Sequence, residues 1–426
     1  MTAVGSGHRP DGRAPGECRD DDLDNAATGT GVVPVFQPIV SLPDRATVGF
    51  EALARWPDLP GCTPERVFDH AGATGVADEL DRACITAAID AALRSPLTKD
   101  ALLSVNAEPS TSYRRIADDD LLALGHAQLT VMFEITERSP LAHPQQLLRK
   151  VSALRSDGFA VALDDVGVHP DSLALLDVVM PDVIKLDLAL IQSTPTREQA
   201  RTLAAVLAHH ERTGAVILAE GVETEAHLEQ ALAVGATLGQ GFFFGRPGPL
   251  GPEPTGTWSQ SAPRHVPGPG IGSPFDLVAG TSPVRTARKE ILTSFSRHIE
   301  SQAVHAADPP MVFTALQRGE YFSGGTRDQY RMLGAICPLV AVFGEDMPTD
   351  LGAGVRGVSL DAADPVCTEW TVVALGPLNA AALIARERLD DGDRRRRDGD
   401  RRFDFVITYD RTVVAAAARS LLERMP

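Results

Sequence analysis

Between residues 32 and 247 of this 426-residue chain, apolar runs of strand length recur, and nearly every one ends on a charged or amide side chain. The runs Val32 to Val40, Ala101 to Val105, Leu129 to Ile135, Phe159 to Leu163, Asp182 to Leu186 and Ala215 to Ala219 alternate with amphipathic helical stretches. Continuous apolar runs suit strands buried on both faces, as parallel strands covered by helices are. The repeat of strand then helix predicts a β/α barrel or an open doubly wound sheet. The polar residues that close the runs decide between them. Glu51 follows ATVGF, Asn106 follows LLSV, Glu134 follows LTVMF, Asp164 and Asp165 follow FAVAL, Lys185 lies in DVIKLD, Glu220 follows AVILA and Gln240 precedes FFFG. In a barrel the C-terminal ends of the strands face one mouth, so these side chains converge there, whereas an open sheet spreads them along a line.

Five carboxylates held that close repel one another by several kcal/mol unless cations sit among them. All the donors are oxygens, with no Cys or His among them, which selects Mg2+, Mn2+ or Ca2+ over zinc or copper. The adjacent pair Asp164 and Asp165 suits two ions bridged by one carboxylate, an arrangement that serves two-metal phosphodiester hydrolysis. Lys185, a charge inside a buried strand, is costly unless paired and so points to function, either orienting a water or balancing charge in the mouth. Arg55 has the planar fork that suits a phosphate oxygen. Taken singly, each acid reads equally well as a helix cap or a turn residue; only their joint placement singles out a site. His209 and His210 fall late in the helical stretch Arg197 to Arg212 and are expected at helix-end or surface positions.

Composition narrows the partners. Lys and Arg total 40 against 57 Asp and Glu, and a net charge of -17 repels phosphate backbones and anionic lipid, which argues against a nucleic acid polymer or a membrane surface as partner. Cys18, Cys62, Cys84, Cys337 and Cys367 are scattered without a CxxC pair, so no disulfide framework or zinc knuckle is expected and a reducing cytoplasm fits. No apolar stretch reaches the roughly 20 residues that span a bilayer. Residues 1–30 lack periodicity, carry Asp20, Asp21, Asp22 and Asp24 where a signal peptide is apolar, and are expected to form a disordered tail. Residues 31–247 make the barrel. Residues 248–274 have Pro or Gly at about half of their positions and read as a linker.

Residues 275–426 form a second α/β domain. It has strand-like runs at Met311 to Leu316, Leu339 to Phe343, Trp370 to Leu375 and Phe403 to Thr408. Helices are expected near Arg285 to Ile299, Asn379 to Arg388 and Thr412 to Arg424. The cluster Arg394 to Arg397 alternates with acids and reads as a solvated loop.

Eight ordered motifs resemble those of the EAL domain, the phosphodiesterase that linearises cyclic di-GMP: FQPIV, FEALAR at Glu51, VNAEP at Asn106, FEITE at Glu134, ALDDVG at Asp164, VIKLD at Lys185, AEGVE at Glu220 and GQGFFFGRP at Gln240. The resemblance covers Val32 to Pro247. It implies a modified TIM (β/α)8 barrel whose first strand runs antiparallel to the others, and Mg2+- or Mn2+-dependent cleavage of one phosphodiester of cyclic di-GMP to give linear pGpG. At matching positions it implies that Glu51, Asn106, Glu134 and Asp164 hold one ion and that Asp165, with Asp164 bridging, holds a second. Lys185 and Glu220 would position or deprotonate the attacking water. Gln37, Arg55 and Gln240 would contact substrate, with Gln240 and Glu223 supporting the site and Glu137 anchoring the loop after Asp165. Pairing of two copies through the barrel beside that loop is also implied.

In that loop the chain departs from the family. Where DDFGTGYSS is usual it reads DDVGVHPDS, so Val166, Val168, His169, Pro170 and Asp171 replace Phe, Thr, Gly, Tyr and Ser. Glu137 thereby loses its hydroxyl partner at Val168, and Pro170 restricts His169 to extended conformations. The alternative this departure favours is a receptor that binds cyclic di-GMP with little or no cutting. In the second domain, DPVCTEW (Asp364 to Trp370), ALIARER and RRFDFVITYDRTVV resemble the DICT sensory domain. That resemblance implies an input module regulating the barrel, and Trp370 there reads equally as a core residue.

Overall fold

The computed structural model describes residues 18–59, 61–95, 97, 99, 101–135, 141–168, 172–258, 272–388, 399 and 401–426. Eight strands close a barrel: β1 (Val33–Ser41), β2 (Thr47–Arg55), β3 (Leu102–Ala107), β4 (Thr130–Ile135), β5 (Ala160–Val166), β6 (Val183–Leu186), β7 (Val216–Ala219) and β8 (Leu238–Gly239). The connection from β1 to β2 is too short for a crossover, so these two strands pair as a hairpin. β1 is antiparallel to both β2 and β8, and every other neighbouring pair is parallel.

Strand alternation sets what fills the barrel. Ile39, Leu102, Met132, Ala162, Val183, Leu218 and Leu238 form an interior apolar layer. Trp258, 9% exposed, joins that layer from outside the strands. The Pro/Gly-rich stretch expected to be a free linker from residue 248 is therefore docked over its first part. Phe36 and Gly248 exchange backbone hydrogen bonds, and Gly256 N donates to Thr47 O at 2.9 Å, leading the indole to the end of the barrel opposite the mouth. Trp258→Ala is expected to destabilise the protein by about 3–5 kcal/mol through the cavity left behind. Thermal unfolding checks this, and an unchanged melting temperature would contradict the plug.

The expected disordered tail is also ordered in part. Helix Asp20–Ala27 buries Leu23, Ala26 and Ala27 against helices Pro64–Thr74 and Ala77–Leu93. Its acidic first turn, which looked like a solvated tail, complements the helix N-terminus instead. Contrary to the expectation from cysteine spacing, Cys18 and Cys62 are joined as a disulfide, with their Cα atoms 5.0 Å apart. Sequence separation hid the pair, because only the docked helix brings residue 18 to the loop after β2.

The second domain is a seven-stranded sheet in the order β12-β11-β10-β13-β14-β15-β9. Its strands are β9 (Arg285–Arg288), β10 (Met311–Arg318), β11 (Val340–Glu345), β12 (Val355–Ser359), β13 (Glu369–Leu375), β14 (Ala380–Glu387) and β15 (Arg402–Thr408). β14 replaces the helix expected near Asn379 to Arg388. It lies between β13 and β15 and is buried on both faces, which fills consecutive positions with apolar residues and masks the strand period. The helix expected from Arg285 begins as edge strand β9 and turns helical only at Lys289–Val304. The basic run at 394–397 lies outside the described residues.

Helices Lys289–Val304 and Gly324–Gly334 cover one face of this sheet, and helices Pro274–Ala279 and Arg411–Leu422 cover the other. The latter face is continuous with the barrel. Helix Arg411–Leu422 packs on barrel helices Pro144–Ser156 and Ser172–Val179, and one apolar cluster runs from Leu176 and Val179 through Val414 and Leu421 to Phe313.

Candidate active site

Two-residue steps along the strands carry side chains from the apolar layer up to the mouth. Met132 leads to Glu134, Ala162 to Asp164, Val183 to Lys185, Leu218 to Glu220 and Leu238 to Gln240; on the antiparallel β1 the step runs backwards, from Ile39 to Gln37. The expected residues therefore meet. Lys185 Nζ lies 2.6 Å from Glu134 Oε2, 2.8 Å from Glu220 Oε1, 2.9 Å from Asp164 Oδ1 and 3.7 Å from Glu51 Oε2. Its side chain is 1% exposed, and a carboxylate cage is the pairing that a cation inside a strand needs. Amides complete the ring. Asn106 Nδ2 donates to Glu51 Oε1 at 3.1 Å, and Gln240 Nε2 donates to Glu51 Oε2 at 2.7 Å and to Gln37 Oε1 at 3.1 Å.

Asp165 reaches the mouth by a different device. Strict alternation after Asp164 would turn it outward. The β5–β6 register shifts between Leu163 and Val166, and Asp165 takes a φ of 53°, a left-handed conformation that Asp tolerates better than most residues. One oxygen each of Asp164, Asp165 and Glu220 then lie within 4.8 Å of one another.

The crowding of acids is visible in their proton affinities. Burial, reinforced by the charge of Glu51, holds Glu134 well above the ordinary carboxyl range despite Lys185. Burial also pushes Glu220 up to about 8 and, with the charge of Asp164, Asp165 up to about 6. Glu51 goes the other way: burial opposes its ionisation, but the Lys185 ammonium and the hydrogen bonds from Gln240 and Asn106 together outweigh it. Two acceptor atoms, Asp164 Oδ1 and Gln240 Oε1, are buried without an aligned hydrogen bond; the first is met only by the ion-pair contact with Lys185. Oxygen-only donors with acceptor atoms to spare fit a hard divalent cation such as Mg2+ or Mn2+.

The mouth encloses about 450 Å3 and is also lined by Arg55 and Glu223. Neither touches the carboxylate ring directly; Arg55 Nη1 donates to Ala54 O at 2.8 Å. Glu137, His169, Pro170 and Asp171 lie outside the described residues. Two further residues belong to the site. Ser104 Oγ donates to Glu134 Oε1 at 2.5 Å, and its signal was its position two residues before Asn106 on the same inward face. Phe242, 46% exposed, sits at the mouth with the Arg246 guanidinium 4.0 Å from its ring centroid. His209, expected at a helix end or on the surface, is instead 1% exposed, with Nδ1 3.3 Å from Asp177 Oδ1.

A family model described as "EAL domain" matches residues 20–247, and one described as "Sensory domain in DIguanylate Cyclases and Two-component system" matches residues 277–388. The probable cyclic di-GMP phosphodiesterase PdeG of Escherichia coli is 27% identical over 237 residues, 54% of this chain and 47% of its own. Cyclic di-GMP phosphodiesterase RocR of Pseudomonas aeruginosa is 29% identical over 226 residues, 50% of this chain and 57% of its own. The chain thus spans about half the length of these relatives. A solved structure of Klebsiella pneumoniae BlrP1, a calcium and cy-diGMP complex, is 29% identical, covers 54% of this chain and 60% of that one, and has a TM-score of 0.45.

Proposed function

The chain belongs to the EAL domain family through more than half of its residues, and from that premise we propose that it is a phosphodiesterase that hydrolyses cyclic di-GMP to linear pGpG. The observation that carries this reading is the closed set of Glu51, Glu134, Asp164 and Glu220 around Lys185, with Asp165 turned in beside them. Glu51, Asn106, Glu134 and Asp164 would hold one Mg2+ or Mn2+ ion, and Asp165 with Asp164 a second. The chemistry such ions would supply is positive charge against the phosphate and a bound water of lowered pKa. Lys185 orients the attacking oxygen and Glu220 takes up its proton. Gln240 links Gln37 to Glu51 by donating to both, which fixes the wall against which substrate binds. Arg55, at the rim, provides the fork for a phosphate oxygen.

Regulation by the second domain has a physical route in this reading. Helix Ser172–Val179, which follows the loop after Asp165, is gripped by helix Arg411–Leu422: Arg411 pairs with Asp177, and Arg419 Nε donates to Val178 O at 2.9 Å. A cleft of about 880 Å3 separates Gly167 and Val168 of that loop from Asp308 and Ile336 of the second domain. A homodimer through the barrel would use surface left beside this docked domain. No helix among the described residues is long and apolar enough to cross a membrane. The proposed setting is the cytoplasm, on the ground of the nucleotide substrate alone, since the Cys18–Cys62 disulfide removes the argument from cysteine spacing.

Incubation of the full chain with cyclic di-GMP and Mn2+ tests the proposal, with pGpG as the expected product. Recovery of intact cyclic di-GMP would reject hydrolysis. If the nucleotide binds tightly yet survives, the receptor reading favoured by DDVGVHPDS takes its place; Val168, 49% exposed, carries no hydroxyl to tie that loop down.

A further inference from the structure

One cavity of the second domain has no part in the reaction above. A cavity of about 780 Å3 lies between the sheet and helices Lys289–Val304 and Gly324–Gly334, on the face turned away from the barrel. That volume falls in the range of small-molecule sites. Its sheet side carries Trp370 and Phe403, which meet edge to face with centroids 5.8 Å apart. Trp370 is half-buried: it packs against the apolar cluster of this sheet face and also lines this space. At the rim stands Tyr321, 39% exposed, with Lys289 Nζ 5.6 Å and the Arg401 guanidinium 5.7 Å from its ring centroid.

The lining is cationic in a chain of net charge -17. Lys289, Arg297 and Arg401 contribute permanent positive charge, and among acidic residues the described lining holds Glu300. Arg401 is held in place by Glu387, with Nε 2.7 Å from Oε1, and the charge of Lys289 also acts on that carboxylate; Lys289 and Arg297 lie about two turns apart on the helix that walls the cavity. Glu300, 7% exposed, accepts at Oε1 from Ser296 Oγ at 2.8 Å and from Tyr330 OH at 3.2 Å. Burial raises its carboxyl above the ordinary range, against the hydrogen bonds from Ser296 and Tyr330 and the charge of Arg297.

We propose that this cavity binds a small planar aromatic anion, its ring against Trp370 and Tyr321 and its carboxylate or phosphate on Lys289 and Arg297. Flat rings recover stacking energy on aromatic walls, while an anion placed between two cations gains charge-assisted hydrogen bonds. A neutral ring forgoes the second gain and inorganic phosphate the first. The site is independent of the phosphodiesterase reading, since its residues lie on the opposite face of the sheet from the barrel.

Thermal shift and calorimetric titration of the full chain in EDTA test this with naphthoate and naphthyl phosphate, against naphthalenemethanol and inorganic phosphate as controls. One or both naphthyl anions are expected to bind and raise the melting temperature, the difference between them identifying the anionic group preferred; the two controls are expected to do neither. Arg297 is exposed, so R297Q leaves the core intact and should weaken binding by about tenfold or more, as should W370L. Failure of both anions to bind, equal binding of the neutral alcohol, or affinity unchanged in R297Q would overturn the proposal.

Discussion

Lys185→Met is expected to cut pGpG formation sharply and, separately, to make the fold dependent on divalent ions. The ammonium lies within 4 Å of four carboxylates, two of which, Glu134 and Glu51, are almost wholly buried. Taking away one partner of a buried ion pair costs about 3–5 kcal/mol, because the remaining charges keep their desolvation penalty. Proton uptake by the acids already raised by burial, Glu134 and Glu220, relieves part of it. In EDTA, K185M should therefore melt well below the wild type. Mn2+ should then raise the melting temperature of K185M more than that of the wild type, since it replaces the missing charge as well as binding. Turnover should nevertheless stay down by about 10²–10³-fold, the usual loss when one positioned donor is removed from a site of this kind. An equal loss of stability with and without Mn2+ would mean that Lys185 is needed for packing and not as the cluster's counter-charge. Normal turnover in K185M would remove it from the mechanism.

The same cluster explains what could be read in the amino-acid sequence. Glu51, Glu134, Asp164, Lys185, Glu220 and Gln240 were legible because closure of a barrel turns strand ends into neighbours, and strand period two then fixes which face each occupies. Asp165 was legible only as the neighbour of Asp164. Its approach depends on a register shift and a left-handed φ, which no alternation pattern encodes. Trp258 and helix Asp20–Ala27 were missed for a shared reason: Pro/Gly content and acidic content were weighed over a whole segment, while single residues, an indole in one case and Leu23 in the other, decide whether the segment docks. β14 was misread because a strand buried on both faces loses the alternation that identifies it. Contacts across the two domains left no local signal. Arg419 and Asp177 are far apart in the chain and meet only because the second sheet presents its helix to the barrel.

That contact gives the second large expected effect. Arg419 is 7% exposed and donates from Nε to Val178 O and, at 3.1 Å, from Nη2 to Asp177 O, while Arg155 Nη1 donates to Val179 O at 2.7 Å. Two arginines thus satisfy the last carbonyls of helix Ser172–Val179, where positive charge also suits the helix dipole. Burial and the neighbouring Arg155 push the Arg419 guanidinium down to about 10, which still leaves it charged at neutral pH. Arg419→Met keeps the length and removes the donors, leaving two buried carbonyls unpaired at about 1–3 kcal/mol each. Amide exchange across residues 172–180 should accelerate in R419M and, in the proposed enzyme, turnover should change with it, because this helix follows the loop after Asp165. Unaltered exchange there would show that the second domain does not restrain the helix. Arg411→Met should do less, since Asp177 keeps His209 at 3.3 Å and Arg212 at 2.9 Å. Burial alone would raise the Asp177 carboxyl, but the His209 hydrogen bond and the charges of Arg411 and Arg212 hold it far below the ordinary range. A depressed folded value means that the stability it contributes is fully present above the unfolded carboxylate value of about 3.9 and is lost as pH falls from there through the folded one. Docking of the two domains should accordingly be insensitive to pH from neutrality to mild acid, and R411M should narrow the stability gap to wild type only below about pH 4.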